Sequence, residues 1–123
     1  MTALPSRRAA YGLGHRGETM AAWLLRLKGY RVLAKRYATP VGEIDLVVRR
    51  GRLLVFVEVK ARGSLDAAAE SIRRTQQSRI IRAAEAYLSK NPSYLNHDMR
   101  FDAVLIAPGV LPRHLKAAFD ASR

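Results

Sequence analysis

The sequence predicts an α/β domain, a mixed β-sheet with helices packed on it. Three observations carry this. Two stretches of period-2 alternation rich in β-branched residues, Gly42–Arg49 and Leu53–Lys60, flank an Arg50-Gly51-Arg52 turn. Apolar residues at helical spacing precede them in Gly14–Lys28 and follow them in Ser71–Ser89. The resulting order is helix, three strands, helix, strand, short helix, within 123 residues, a length that suits one domain with one core.

Residues 1–13 are basic, small and turn-rich, and read as an N-terminal arm or irregular start, which leaves 14–123 as a single domain. In Gly14–Lys28, Ala21, Ala22, Leu24 and Leu25 form one stripe, Trp23 and Leu27 extend it, and Gly29 is a natural residue to follow the helix. Glu18 falls toward the same stripe near the expected first turn, where the helix dipole favours a carboxylate. Tyr30–Tyr37 reads as a first strand and Thr39–Gly42 as a loop. After the paired strands, the chain passes Gly63 and Ser64 into an Ala-rich segment with helical character. In Ser71–Ser89 the buried stripe is Ile72, Ile80, Ala83, Ala84, Tyr87 and Leu88; Arg73, Arg74, Arg79 and Arg82 crowd the remainder, and Asn91-Pro92 stops the helix. Arg100–Ala107 is another strand, and Leu111–Phe119 is expected to contain a short helix begun by Pro112.

Composition narrows the function classes. Twenty-two Lys and Arg against 10 Asp and Glu give a formal charge of +12, which favours a polyanionic partner, nucleic acid first. Without cysteine, no disulfide, thiolate zinc site or cysteine nucleophile is available. No apolar run resembles a signal peptide or a membrane span, so the reading is of a cytoplasmic chain with no membrane partner.

The paired strands hold the chemistry. Asp45 shares a face with Glu43 and Val47, and Glu58 shares one with Lys60. Folding about Gly51 brings Asp45 opposite Val57 or Glu58, and a register pairing Asp45 with Glu58 sets both carboxylates and Lys60 on one face. Two like charges roughly 5 Å apart repel by about 3 kcal/mol at an effective dielectric near 20. Both strands carry apolar residues on both faces, as internal strands do. A hard divalent cation would resolve the repulsion; the plainer reading is that Lys60 pairs with Glu58 or Asp45 at a strand end.

Asp45 followed by Glu58-Val59-Lys60 resembles the D…ExK signature of the PD-(D/E)xK nucleases. The surrounding residues are more specific. Gly17-Glu18, Ala21 and Leu25 before Gly29-Tyr30, then GEIDL at 42–46, FVEVK at 56–60 with Arg62, and RFD at 100–102, resemble the YraN-like family of small bacterial proteins, expected endonucleases related to Holliday junction resolvases. The resemblance runs from Gly14 to Phe119. It implies a restriction-endonuclease-like fold, a mixed central sheet flanked by helices. It implies Asp45 and Glu58 as metal-binding carboxylates, Lys60 as the catalytic lysine and Glu18 as a first-helix acid joining the site. The Val59 carbonyl could add an oxygen ligand, and the implied cofactor is Mg²⁺ or Mn²⁺. Glu43 is a further ligand, a supporting group or a partner for Arg62. DNA is the implied substrate, branched DNA in particular, and such enzymes commonly act as two-fold dimers.

Two features depart from that pattern: Ile44 precedes Asp45 where the superfamily name has Pro, and Gln76 stands where relatives typically carry Lys. Gln76 can position a water or a phosphate oxygen but supplies no charge. His15, Arg16, Arg62, Arg73, Arg74 and Arg79 are the expected nucleic-acid contacts. Asp102 could support the site from outside, but pairing with Arg100 or a strand-end amide is the stronger reading. His15, His97 and His114 show no ligand spacing and read as ordinary surface or capping histidines. The rival function is a nucleic-acid-binding protein on a nuclease fold that does not cut.

Overall fold

The structure, a computed structural model, describes residues 7–120, and side chains from residue 17 onward. A five-stranded sheet in the order β1-β2-β3-β4-β5 organises the domain. Its strands are β1 (Arg31–Thr39), β2 (Gly42–Arg50), β3 (Leu53–Ala61), β4 (Asp98–Ile106) and β5 (Arg113–Phe119). β3 and β4 are parallel; the other neighbours are antiparallel, so the sheet is mixed. The helices are α1 (Arg7–Leu27), α2 (Leu65–Glu70) and α3 (Arg74–Lys90), with a 3₁₀ turn at Pro92–Tyr94.

Hydrophobic alternation assigns each helix to a face of the sheet. Leu46 and Val48 of β2, Val55 and Val57 of β3, and Val104 and Ile106 of β4 pack under Ala21, Ala22 and Leu25 of α1. The intervening Val47, Leu54, Phe56 and Phe101 meet Ile80, Ala83, Ala84 and Tyr87 of α3 on the other side. Ala103 and Leu105 pack with Ala68 of α2. β2 and β3 are internal and carry apolar residues on both faces, as their sequences require. Gly51, at φ 61°, opens the turn from β2 into β3, and Arg50 pairs with Leu53.

Several expectations are corrected. α1 begins at Arg7, so the expected arm covers helical residues from 7 to 13, and only 1–6 of it lie outside the described residues. Gly12 and Gly14 weaken a helix by up to about 1 kcal/mol each without forbidding it. Glu18 consequently sits in the middle of α1 rather than in its first turn, where the dipole argument would apply. Trp23 and Leu27 do not extend the buried stripe; they are 59% and 83% exposed.

The helix expected over Ser71–Ser89 is α3, which starts three residues later, at Arg74, and the Ala-rich segment before it is helical as α2. α2 closes at Glu70 with Ser71 as its C-cap, and α3 starts after the extended Arg73. Ser64 Oγ accepts the Ala67 N–H at 3.1 Å, which gives α2 its own start. Ile72 then turns into the cluster beneath α2 instead of joining the stripe of α3.

The expected C-terminal helix is strand β5, antiparallel to β4. The apolar Leu115 and Phe119 are four residues apart, which imitates a helical period. A register shift opposite Phe101 and Ala103, with Ala117 at φ 53°, produces that spacing inside a strand.

Candidate active site

Asp45 and Glu58 come together because of the β2–β3 register. Leu46 pairs with Val57, and the same count places Asp45 opposite Glu58 just beyond the last paired residues. At that point the Asp45 side chain takes over: its Oδ2 accepts the Val59 N–H at 2.7 Å. Lys60, one alternation further along β3, sets its Nζ 3.3 Å from Glu58 Oε1, and both side chains are only 9% exposed. α3 closes the site from above. Gly42 lets it approach: a Cβ there would collide with the Arg79 carbonyl. The open cavity between α3 and the sheet, about 420 Å³, is lined by Glu43, Asp45, Glu58, Val59, Lys60, Gln76, Arg79 and Ile80.

Electrostatics make the acid pair unusual. Burial pushes the Glu58 carboxyl up, and the charge of Asp45 with the hydrogen bond between the two acids pushes it further. Lys60 pulls it back only in part, leaving a pKa of about 8. Without a cation, Glu58 therefore keeps its proton near neutral pH. Two carboxylates, the adjacent Val59 carbonyl and room for water suit Mg²⁺ or Mn²⁺, which take few protein carboxylates and keep several waters. A cation in place of the Glu58 proton would offset both the burial and the repulsion from Asp45 that raise Glu58. Among the described residues no group of three or more His, Cys, Asp or Glu is placed to hold a metal, so the protein carboxylates would be this pair, with Glu43 at the rim.

Other expected site residues do not line this cavity. Glu18 does not line the cavity; its Oε1 accepts from Arg36 Nε at 2.7 Å. Among the described residues, Arg62 forms no ion pair with Glu43. It lines a separate apolar cavity, and its Nη1 donates to the Ala61 carbonyl at 2.8 Å. Arg73 and Arg74 are exposed at the start of α3, outside the cavity. The side chains of His15 and Arg16 lie outside the described residues.

Asp102 is structural in its contacts. Fully buried, it accepts from Arg100 at 2.7 Å on each oxygen, from the Ala117 N–H at 3.0 Å, and contacts His114 Nε2 at 2.7 Å. Burial alone would raise its pKa, but bonds from His114, Arg100 and Ala117 and the charge of Arg100 bring it to about 2. His114 is the residue that spacing missed. Its side chain is 1% exposed, and its Nδ1 lies 2.9 Å from Lys28 Nζ. With Lys28 as donor there, Nε2 carries the proton given to Asp102. Recognising β5 as a strand paired with β4 would have been the signal, since His114 sits opposite Val104.

Comparison with other proteins agrees with the residue pattern. The profile of an uncharacterised protein family, UPF0102, matches residues 17–106. A UPF0102 protein of Rhodopseudomonas palustris (strain HaA2) is 57% identical over 118 residues, 96% of this chain and 92% of the relative. One from Nitrobacter winogradskyi is 58% identical over 94% of this chain and 98% of its own length. One from Parvibaculum lavamentivorans is 60% identical over 90% of this chain and 84% of its own. Among the described residues no helix is long and apolar enough to cross a membrane.

Proposed function

We propose that this chain, which belongs to the uncharacterised protein family UPF0102, is a divalent-metal-dependent endonuclease that hydrolyses phosphodiester bonds in DNA. The observation that carries the reading is the convergence of Asp45, Glu58 and Lys60 in one polar cavity, where burial and the neighbouring Asp45 hold the Glu58 carboxyl well above its ordinary pKa.

Asp45 and Glu58 would hold Mg²⁺ or Mn²⁺, with the Val59 carbonyl as a further oxygen donor. The bound cation would supply a water of lowered pKa and positive charge against the phosphate. Asp45 is oriented for this by the Val59 N–H. Lys60 is held beside Glu58, where its ammonium can orient the attacking water or counter the charge that develops on the phosphorus oxygens. Gln76 reaches the cavity from α3 as a neutral donor and acceptor for a water or phosphate oxygen, and Arg79 brings the positive charge that Gln76 lacks. Exposed Arg73 and Arg74 extend this cationic side of α3 and suit contacts to the flanking phosphates. A formal charge of +12 suits salt-sensitive, sequence-tolerant binding, and branched DNA is the substrate shape implied by the resemblance.

The test is cleavage of labelled four-way junction, flap, single-stranded and duplex DNA with Mg²⁺, Mn²⁺ or EDTA, alongside Asp45→Asn and Lys60→Ala proteins. Cutting that requires metal and is lost in both variants is the expected result. Salt-sensitive binding with no cutting of any substrate, unchanged in the variants, would replace this reading with a non-cutting nucleic-acid-binding protein.

A further inference from the structure

On the α1 face, at the same end of β3 as the acid pair, lies a second cavity of about 540 Å³. Its walls are apolar: Met20 of α1, Ile106 at the end of β4, and Pro108, Val110 and Leu111 of the loop that follows. Arg62 is the one charged residue among the described residues lining it. The apolar surface continues outside the cavity. Met20, Trp23 and Leu27, spaced three and four residues apart along α1, are 42%, 59% and 83% exposed, and Val110 and Leu111 are 51% and 87% exposed. Bulky apolar side chains this exposed and this close together are an expense in water unless something covers them.

The chemistry of the walls narrows what that is. Nucleic acid would meet apolar walls where its phosphates need donors. A second copy would set two chains of formal charge +12 against each other. A concave site of this size takes discrete side chains, and a guanidinium at the edge of an apolar cavity recognises a carboxylate placed directly beside an apolar group. At the C-terminus of a polypeptide the α-carboxylate adjoins the last side chain. Acidic residues upstream would meet exposed Arg26 and Lys28 beyond Trp23, and Arg113 in the depression across the Pro108–Leu111 loop, which also holds Asp66.

We propose that this cavity is a docking site for the acidic C-terminal tail of a partner protein, with the tail's terminal bulky apolar side chain in the cavity and its α-carboxylate on Arg62. Ala61 and Arg62 follow Lys60 directly in the chain, so a tail bound here sits across the sheet from the acid pair and leaves that cavity open to its own substrate. The docking site does not depend on the nuclease reading. A partner bound this way would recruit the domain to the place where the partner works.

The probe is a fluorescein-labelled acidic peptide ending in Leu-Phe with a free carboxylate, titrated with the full chain and followed by anisotropy and by emission of Trp23, the sole tryptophan. Saturable binding is expected. Amidating the terminus, replacing the final Phe by Ala, or introducing Val110→Asp or Arg62→Glu should each weaken it by roughly tenfold or more, the equivalent of one lost anchoring contact. Melting temperature and circular dichroism, measured on each variant, separate loss of the site from loss of the fold. Equal binding of the amidated or Ala-ended peptide overturns the proposal, since it reports attraction between net charges alone. So does binding that survives both variants in a folded protein. Sedimentation as a dimer that Val110→Asp dissociates assigns the surface to a second copy, and phosphatidylglycerol vesicles retained in place of the peptide assign it to lipid; either result also overturns it.

Discussion

Asp45 Oδ2 accepts the backbone N–H of Val59 at 2.7 Å, at the point where the β2–β3 pairing ends. A side chain thus replaces a backbone partner, and the same contact fixes the carboxylate toward Glu58. Repulsion between the two acids argues that removing either charge should stabilise the protein, but this hydrogen bond opposes that for Asp45. Asp45→Asn keeps an acceptor oxygen and is expected to melt at or above the parent temperature. Asp45→Ala leaves the Val59 N–H without its partner and should cost about 1–3 kcal/mol. Thermal unfolding in EDTA checks the order, Asn above Ala; equal melting of the two variants would mean the contact carries no stability.

Glu58 gives a pH dependence of definite sign. Its carboxyl has a pKa of about 8 in the folded protein against 4.5 as the ordinary value. Between those values the folded state holds a proton that the unfolded state has released. Stability without metal is therefore expected to fall as pH rises from about 4.5 to 8, by an amount on the order of a few kcal/mol, and then to level off. Glu58→Gln should flatten this slope. Mg²⁺ or Mn²⁺ should stabilise the parent most at the alkaline end, where no proton competes, and should not stabilise Glu58→Gln. Urea unfolding from pH 5 to 9, with metal and with EDTA, reads all three. A metal effect that survives in Glu58→Gln would remove this residue from the ligand set.

The sequence made the central hairpin legible because alternation, β-branching and Gly51 all agree there. That agreement specifies strand, turn and shared face without help from the rest of the chain, and it is why Asp45, Glu58 and Lys60 were readable as a group. Gln76 enters only through the resemblance and Arg79 only through its charge; what brings them to the same cavity is a tertiary contact, the close approach of α3 to Gly42, which local pattern does not encode. Glu18 illustrates the opposite failure. Its placement depended on where α1 begins, and three glycines disguised a helix running back to Arg7. β5 imitates a helix because a register shift sets Leu115 and Phe119 four residues apart, and the same imitation hides the role of His114. Residues whose partners lie across a bulge cannot be paired by period alone.

The Asp102 cluster should behave as structural support and not as part of the acid pair. It lies on the α1 face, with Arg100, His114 and the Ala117 N–H around one buried carboxylate. Asp102→Asn leaves Arg100 without its counter-charge and is expected to cost about 3–5 kcal/mol. The carboxyl, held at about 2 against an ordinary 3.8, contributes stability that is fully present above pH 4 and lost as pH falls toward 2. That contribution is about 2 kcal/mol. Acid unfolding of parent and Asp102→Asn should differ most above pH 4, with the gap narrowing by about 2 kcal/mol as pH falls toward 2. A parallel offset across the whole range would locate the loss in packing rather than in this charge.

Gly42 supplies a test that couples fold to site without touching any reacting group. A methyl at this position would meet the backbone of Arg79, which cannot rotate away as a flexible side chain could. Either β2 bends at its first residue or α3 moves outward, and overpacking of this kind costs typically about 1–3 kcal/mol, occasionally more. Moving α3 also carries Gln76 and Arg79 away from Asp45 and Glu58, which sit on the sheet and stay where they are. Gly42→Ala is therefore expected to destabilise the protein, to weaken DNA binding and cleavage together, and to leave the metal-dependent stabilisation largely intact. Arg79→Ala should reproduce the loss in DNA binding without the loss in stability. Measuring melting temperature, metal response and DNA affinity on both variants separates the roles. If Gly42→Ala abolished the metal response while DNA affinity held, α3 would be supporting the acid pair itself and not the phosphate.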